Sequence, residues 1–456
     1  MDLIKDIKNI YFLGIGGIGM SALARWFKAQ GFEVGGYDKT KSPLTEQLIA
    51  EGMDIHYDDQ AGRIPTLFYR KAQTLVVFTP AVPKNNVEYR YFESAEYQML
   101  KRAQVLGLIT EHHRTVAIAG THGKTTTTTL TAHIFKTADI ECSAFMGGIS
   151  ANYGTNLLIG SKDAPVIVEA DEYDRSFLTL RPEVAVVTST DADHLDIYGS
   201  HDSVLESFNT FGNLVSKSLI AQHKTGMHAK HLTYALDAKA DYFSDNIRIS
   251  KGKFIFDFHG KGQLEIKDIA LAVPGYHNVE NATAAMAAAL EYGLPVDKLK
   301  QAIESFKGVK RRFEYIVDAA EIVYIDDYAH HPAELHALLT SAKSLFAGKK
   351  VTIVFQPHLY SRTRDFYKEF AMSLDLADEV LLLDIYPARE LPIDGISAEI
   401  IKEHMQNKNV QILSKEGLLA HIEAHLNTDV LLTAGAGDID RYVEQIAALL
   451  KTKYIN

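Results

Sequence analysis

Gly120-Thr121-His122-Gly123-Lys124-Thr125-Thr126 follows directly on the β-branched and apolar run Thr115–Ala119. The order predicts a strand, a glycine turn and a helix that opens in the threonine run. Glycines let the backbone turn its NH groups onto phosphate oxygens. Lys124 would reach the β- and γ-phosphates, and the Thr125 hydroxyl would ligate Mg2+. The positive end of the helix adds to the field. Gly120, Thr121, His122, Gly123 and Thr126 are the remaining members of this nucleotide turn. The spacing falls short of a full Walker A motif, because Ile118 stands where its first glycine would be. A glycine turn beside a surface lysine is the bland alternative.

The next segments outward favour the phosphate reading. Val166-Ile167-Val168-Glu169-Ala170-Asp171-Glu172 is an apolar strand that ends in carboxylates. In a nucleoside-triphosphate site such an end supplies a metal-binding acid, and Glu169 is the first candidate. The run Val184–Thr188 leads into Asp191-Ala192-Asp193-His194-Leu195-Asp196. His194 is a candidate second metal ligand, although Mg2+ prefers oxygen. Upstream, Gly14-Ile15-Gly16-Gly17-Ile18-Gly19 follows the strand-like Ile10–Leu13, with Asp38 about 20 residues beyond. This matches a dinucleotide fingerprint, and the same NH groups would suit a UDP-sugar diphosphate.

Two polar segments follow strands near the C-terminal end. They are Asp326-Asp327-Tyr328-Ala329-His330-His331-Pro332 and Gln356-Pro357-His358-Leu359-Tyr360-Ser361-Arg362-Thr363-Arg364. Parallel strands bring such ends to one sheet edge, and arginines there suit a carboxylate or phosphate. His277-Asn278-Val279-Glu280-Asn281-Ala282 reads as a helix start whose amides could meet an adenine edge, or as a plain cap.

The whole chain carries these motifs on a β-α alternation. Strand-like runs at Thr74–Thr79, Ile322–Ile325, Val351–Phe355, Val380–Leu383 and Val430–Thr433 alternate with helical runs such as Thr283–Glu291 and Ala333–Leu345. That pattern implies parallel, doubly wound sheets. From Tyr242 to Ala272 the residues alternate apolar and polar, which suggests antiparallel strands. Openings near Ile10, Thr115 and Ile322 place domain starts, with boundaries near Ile109 and Phe313. The second follows Lys310-Arg311-Arg312, a basic cluster suited to a hinge.

The chain has 456 residues, 46% of them hydrophobic and 23% charged. That excludes a disordered chain and a polytopic membrane protein. Length alone suggests about three domains. The net charge of -11 argues against broad nucleic-acid binding. Cys142 is the only cysteine, so an intramolecular disulfide and a cysteine zinc cluster are excluded, which fits a reducing, cytoplasmic setting. Lys5 and Lys8 before Ile10–Ala24 imitate a signal peptide, but Gly14, Gly16, Gly17 and Gly19 break that run.

Taken in order, GTHGKTTTT, EADEYDRSF, DADHLDIYG, HNVENATAA, KRRFE, DDYAHHPAE and FQPHLYSRTRDF resemble the Mur ligases of peptidoglycan synthesis. The GIGGIGMSALA opening and the DDYAHHPAE and FQPH segments resemble the alanine-adding branch. The likeness runs from about Ile10 to Gly437. It implies an α/β chain of three domains: residues 1–109, Rossmann-like and UDP-sugar-binding; residues 110–312, a P-loop ATPase with a mostly parallel sheet plus a small antiparallel sheet; and residues 313–456, Rossmann-like and amino-acid-binding. It implies ATP and Mg2+ as cofactors, and UDP-N-acetylmuramate and L-alanine as substrates. The enzyme would be a cytoplasmic monomer or weak homodimer, without nucleic-acid or membrane partners. Carried over by motif position, Lys124 binds the β,γ-phosphates, Thr125 and Glu169 hold one Mg2+, Glu169 and His194 hold a second, and His277, Asn278 and Asn281 lie on the adenine side. Arg312 and Asp327 hold the nucleotide. Tyr328, His330, His358 and Arg362 seat the acyl phosphate and L-alanine. Gly16, Gly17 and Asp38 serve the UDP-sugar.

Three positions depart from the pattern. Leu359 stands where arginine is frequent, Arg389 replaces a usual glycine, and Asn209 lies about where other Mur ligases carry a carbamylated lysine. Three other readings compete within reach of the same motifs. A murein-recycling ligase would add a tripeptide to the same UDP-sugar, but its amino-substrate loop differs from FQPHLYSRTR. An NAD-dependent dehydrogenase would explain Gly14–Gly19 and Asp38, yet leave Lys124, Glu169 and His194 without work. A non-catalytic UDP-sugar binder would leave them idle too.

Overall fold

The computed structural model describes residues 6–191, 195–388 and 390–455. Three sheets organise them. The first holds β1 (Asn9–Leu13), β2 (Glu33–Tyr37), β3 (Asp54–His56), β4 (Thr74–Phe78) and β5 (Gln98–Lys101), in the order β3-β2-β1-β4-β5. All four pairings are parallel. The reversal of strand order lies between β1 and β4, so the Gly14–Gly19 turn leaves at the point where such sheets open a ligand crevice.

The second sheet is built around β6 (Thr115–Ala119), flanked by β9 (Val166–Glu169) and β10 (Val184–Val187), both parallel to it. One side continues with β7 (Ser143–Phe145) and β8 (Leu157–Leu158). The other continues with β11 (Ser218–Gln222), β12 (Leu232–Leu236), β13 (Tyr242–Ser250), β14 (Lys253–Gly260) and β15 (Leu264–Leu271). The alternating stretch is therefore an edge of this ten-stranded sheet and does not form a separate one. Its outermost strand alternates half-buried and exposed residues from Leu264 to Lys267, as an edge with one wet face does.

The third sheet has the order β16-β17-β21-β18-β19-β20. Its members are β16 (Glu314–Asp318), β17 (Val323–Asp327), β18 (Val351–Phe355), β19 (Glu379–Leu383), β20 (Val410–Leu413) and β21 (Val430–Ala434). Only β16 runs antiparallel. The three central strands β17, β21 and β18 are buried throughout, as strands covered on both faces are.

By compactness the chain divides into two units. One comprises residues 1–245, 257–269 and 280–306, and the other residues 246–256, 270–279 and 307–456. In the first unit the first two sheets share one continuous apolar core, from Ile10, Leu23 and Trp26 through Phe145 and Val168 to Phe208 and Phe211. Trp26 on the helix Ile18–Ala29 meets Phe145 at 6.3 Å between ring centroids. Burying one such aromatic contributes roughly 2–3 kcal/mol. In the second unit Tyr324, Val354, Leu381, Leu431 and Ile446 form the corresponding core. Among the described residues, no helix is long and apolar enough to cross a membrane.

Candidate active site

The Thr115–Ala119 strand, the turn and the helix Lys124–Thr137 form as their sequence predicts. Gly123 caps the helix with φ +79°, and Gly120 also has positive φ, so both need glycine. The turn is clamped from the end of β10. Thr121 NH donates to the Ser189 carbonyl at 3.1 Å, and His122 NH donates to the Ser189 hydroxyl at 2.8 Å. Thr188 Oγ1 donates to the carbonyls of Ala119 and His122. These bonds fix the backbone of the turn.

Lys124 lies almost buried at the mouth of this turn. Its ammonium donates to the Gly120 carbonyl at 2.6 Å, to the Thr121 carbonyl at 3.3 Å and to Glu172 at 2.9 Å. Burial pulls its pKa down, but Glu172, Glu169 and Asp171 outweigh this and the net shift is upward. The lysine therefore stays charged. Glu172 is pushed up to about 7, chiefly by burial, against the opposing pull of Lys124.

Thr125 Oγ1 donates to Glu169 Oε1 at 3.1 Å, and Glu169 Oε2 accepts from Gly147 NH at 3.0 Å. A hydroxyl and a carboxylate side by side at a phosphate turn are hard oxygen donors, and they fit Mg2+. Among the described residues, no group of three His, Cys, Asp or Glu could hold a metal by itself. Mg2+ needs no such cage, since phosphates and water complete its shell. His194 lies outside the described residues. Thr126 is buried in the first helical turn. Asn281 comes to the same turn, with its Oδ1 accepting from Thr127 Oγ1 at 3.2 Å. A Cβ on Gly123 would lie 2.5 Å from that oxygen.

The N-terminal turn belongs to the same compact unit. Gly14 and Ile15 NH donate to the Tyr37 carbonyl at 2.8 and 3.1 Å. Asp38 Oδ2 accepts from Gly16 NH at 2.7 Å, and its Oδ1 accepts from Thr40 NH. Gly17 is the N-cap of Ile18–Ala29, with no side-chain cap bond. The first NH groups of that helix lack intrahelical acceptors, as at any helix start.

The second unit gathers the other polar segments. Asp327 ends β17 and accepts from the NH groups of Phe313 and Ala329, each at 2.7 Å. Burial pushes it up to about 6. The Arg311 and Arg312 guanidiniums each lie 5.2 Å from the Tyr328 ring centroid. His330 Nδ1 is 3.3 Å from Glu334, and its ring centroid is 5.9 Å from that of His358. Arg362 Nη1 is 3.4 Å from His358 Nδ1. His358 stacks on Tyr386 at 5.7 Å. Burial pushes His330 down to about 4, so this imidazole is neutral at pH 7. Tyr328, His330, His358 and Arg362 thus converge. His277 is likewise pushed down to about 4 by burial and then by Arg312, while Asn278 Nδ2 donates to the Pro274 carbonyl.

The residue-by-residue reading missed Glu172, Glu334 and Tyr386. Glu334 was readable, because it stands at N3 of a helix capped by His331. Glu172 and Tyr386 meet partners far away in sequence. Asn209 accepts from the NH groups of His228 and Ala229, a role that fixes a loop and needs no lysine there. Leu359, at φ +73°, heads the helix Tyr360–Leu374. Arg389 lies outside the described residues.

Three family descriptions match consecutive stretches: Mur ligase family, catalytic domain, over residues 9–114; Mur ligase middle domain over 118–289; and Mur ligase, glutamate ligase domain, over 311–437. A protein of Cytophaga hutchinsonii named UDP-N-acetylmuramate--L-alanine ligase is 48% identical, covering 99% of this chain and 98% of its own. One of the same name from Porphyromonas gingivalis is 48% identical, covering 98% and 100%. The crystal structure of a UDP-N-acetylmuramate-alanine ligase from Thermotoga maritima superimposes with a TM-score of 0.82 at 29% identity, over 98% of this chain and 99% of that one. The chain belongs to the Mur ligase family.

Proposed function

We propose that this protein is an ATP-dependent ligase that joins L-alanine to the lactyl carboxylate of UDP-N-acetylmuramate, in the synthesis of peptidoglycan precursors. The observation that carries the reading is the buried Lys124 at a clamped glycine turn beside Thr125 and Glu169. It stands in a chain nearly half identical over its whole length to relatives named for alanine addition.

A lactyl carboxylate oxygen attacks the γ-phosphorus of ATP, and the bond to the β-phosphate oxygen breaks. ADP leaves, and the sugar carries an acyl phosphate. The amine of L-alanine then attacks the acyl carbon, phosphate departs, and the nitrogen loses a proton. An anion must approach a polyanion in the first step, so charge compensation and positioning dominate the barrier. Lys124 supplies a fixed positive charge at the β,γ-phosphates. Thr125 and Glu169, with His194, would hold Mg2+, which when bound screens phosphate charge.

Gly120, Thr121, His122, Gly123 and Thr126 frame the phosphates through the backbone. His277, Asn278 and Asn281 serve the adenine side. Arg312 and Asp327 hold the nucleotide. Tyr328, His330, His358 and Arg362 seat the acyl phosphate and L-alanine, where a neutral His330 leaves the cationic work to Arg362. Gly16, Gly17 and Asp38 hold the UDP-sugar. We further propose three functional domains at residues 1–109, 110–312 and 313–456, a cytoplasmic location, and a monomer or weak homodimer.

The test is phosphate release from ATP and Mg2+ with UDP-N-acetylmuramate. Release should depend on L-alanine. Stimulation by a tripeptide and not by L-alanine would transfer the reading to the recycling ligase. Oxidation of NADH with a keto acid, and no phosphate release, would overturn both.

A further inference from the structure

Three carboxylates lie in the four residues Glu169-Ala170-Asp171-Glu172, and each has a different partner. Glu169 faces Thr125 and Gly147. Asp171 accepts from Arg102 Nη2 at 2.9 Å. Glu172 faces Lys124, with one oxygen at 2.9 Å and the other at 2.8 Å from the ammonium. The acid on the metal side and the acid on the lysine side are therefore separate residues.

The segment holding Glu172 is built to stay in place. Its carbonyl accepts from Tyr198 OH at 2.6 Å and from Arg175 NH at 2.9 Å. Phe177 NH reaches back to the Asp171 carbonyl at 2.9 Å. Asp174 and Arg175 both sit in the left-handed region, at φ +51° and +54°. Side chains there are strained, and such strain persists where the surroundings over-determine it. Glu172 is 2% exposed.

A lysine ammonium is a point charge on a flexible stem, with no orientation of its own. Two of its neighbours here, the Gly120 and Thr121 carbonyls, belong to the turn and would draw it inward. Glu172 is the one of the three acids bonded to it, and it lies in the segment that follows β9. We propose that Glu172 is the positioning residue of the phosphate-binding lysine: its pinned carboxylate holds the Lys124 ammonium at the γ-phosphate side of the turn through the transfer step. This rests on the ligase reading above, in which Lys124 meets the transferred phosphate. Glu172 touches neither substrate nor metal in this role.

The experiment compares wild type, Glu172→Gln and Glu172→Asp. It reads kcat and KM for ATP in alanine-dependent phosphate release, the Kd for UDP-N-acetylmuramate, and the melting temperature. A misplacement near 1 Å costs about 100-fold in rate. The Gln variant should therefore lose about 30-fold or more in kcat, with KM for ATP within about threefold and the UDP-sugar Kd within about twofold. The Asp variant keeps the charge and should fall between Gln and wild type. A Gln variant with kcat within twofold of wild type overturns the proposal. So does one whose rate loss comes with lost UDP-sugar binding and a lowered melting temperature, since that is a structural ion pair. If the Gln variant does not fold, the Asp variant decides. A kcat reduced about fivefold or more at an unchanged melting temperature supports positioning, and any smaller reduction overturns it. Failure of the ligase reading shows separately, as absence of alanine-dependent release in wild type.

Discussion

Two glycine turns leave the ends of parallel strands in the same compact unit, and they are charged in opposite ways. The turn at Gly120–Thr125 surrounds a cation, Lys124. The turn at Gly14–Gly19 is closed by a carboxylate, with Asp38 on the Gly16 NH. A buried glutamate accompanies each sheet, and burial pushes both Glu172 and Glu88 up to about 7. Glu172 faces a lysine. Glu88 faces the Tyr11 hydroxyl at 2.6 Å and His56 at 3.3 Å. The backbone device is the same, so what separates the two sites is side-chain charge. A triphosphate under attack by a carboxylate needs a compensating cation. A diphosphate that only has to be held can rest on NH groups and a helix end.

The largest expected effect breaks the comparison at its cation. Lys124→Ala should lower kcat for alanine-dependent phosphate release by about 10²–10³ or more, the loss seen when one preorganised charge-stabilising donor is removed. Binding of UDP-N-acetylmuramate, measured by calorimetry, should stay within about twofold, because the proposed function assigns it to the other turn. Loss of both would show that the two turns do not act separately. A smaller effect is expected on the other side. A Cβ on residue 16 would lie 2.7 Å from Thr45 Cγ2 and 2.8 Å from Asp38 Oδ2. Gly16→Ala must therefore displace the carboxylate that sets this turn. We expect KM for the UDP-sugar to rise about tenfold, equivalent to about 1.4 kcal/mol, with KM for ATP unchanged. An equal rise in both would argue against separate roles.

The two turns were legible in the sequence because each is a local device, a short strand, glycines and a helix start. Lys124, Thr125 and Glu169 stood out for the same reason, as helix-start and strand-end residues of fixed chemistry. Glu172 was not: its role needs contact with Lys124, 48 positions away, which only the sheet order provides. β2 was also hidden, because Gly35 and Gly36 lower strand propensity. The structure shows what they are for. A Cβ on Gly35 would lie 2.7 Å from the Phe68 ring, so the glycine admits an aromatic against the sheet. The alternating strands β13 to β15 were recognised by period, but period says nothing about which sheet they extend. In the third sheet the acid, histidine and arginine segments were legible as strand ends. Glu334 and Tyr386, which orient His330 and His358, were not marked out by residue type alone.

The smallest expected effect concerns Glu88, and it sharpens the comparison of the two glutamates. Its folded-state pKa is about 7, above the ordinary carboxylate value of 4.5, with burial as the first cause. A raised folded pKa means that the native state binds the proton more tightly than the unfolded chain does. The stabilisation is complete below the unfolded pKa and is lost as pH rises through about 7. Burial also lowers the His56 pKa, and so works against the charged imidazole that would offset this. Glu88→Gln keeps an acceptor for the Tyr11 hydroxyl but cannot ionise. Its melting temperature should therefore lack the Glu88 contribution to the change between pH 5 and pH 8, while the shared contributions of Glu172 and Asp327 remain in both proteins. That of wild type should fall relative to it over the same interval, by an amount set by a shift worth about 1.4 kcal/mol per unit. Parallel curves for the two proteins would mean that Glu88 titrates normally. UDP-sugar affinity should be the same for both proteins at pH 5, where Glu88 is protonated, so any change there would give this glutamate a part in the first turn that burial alone does not require.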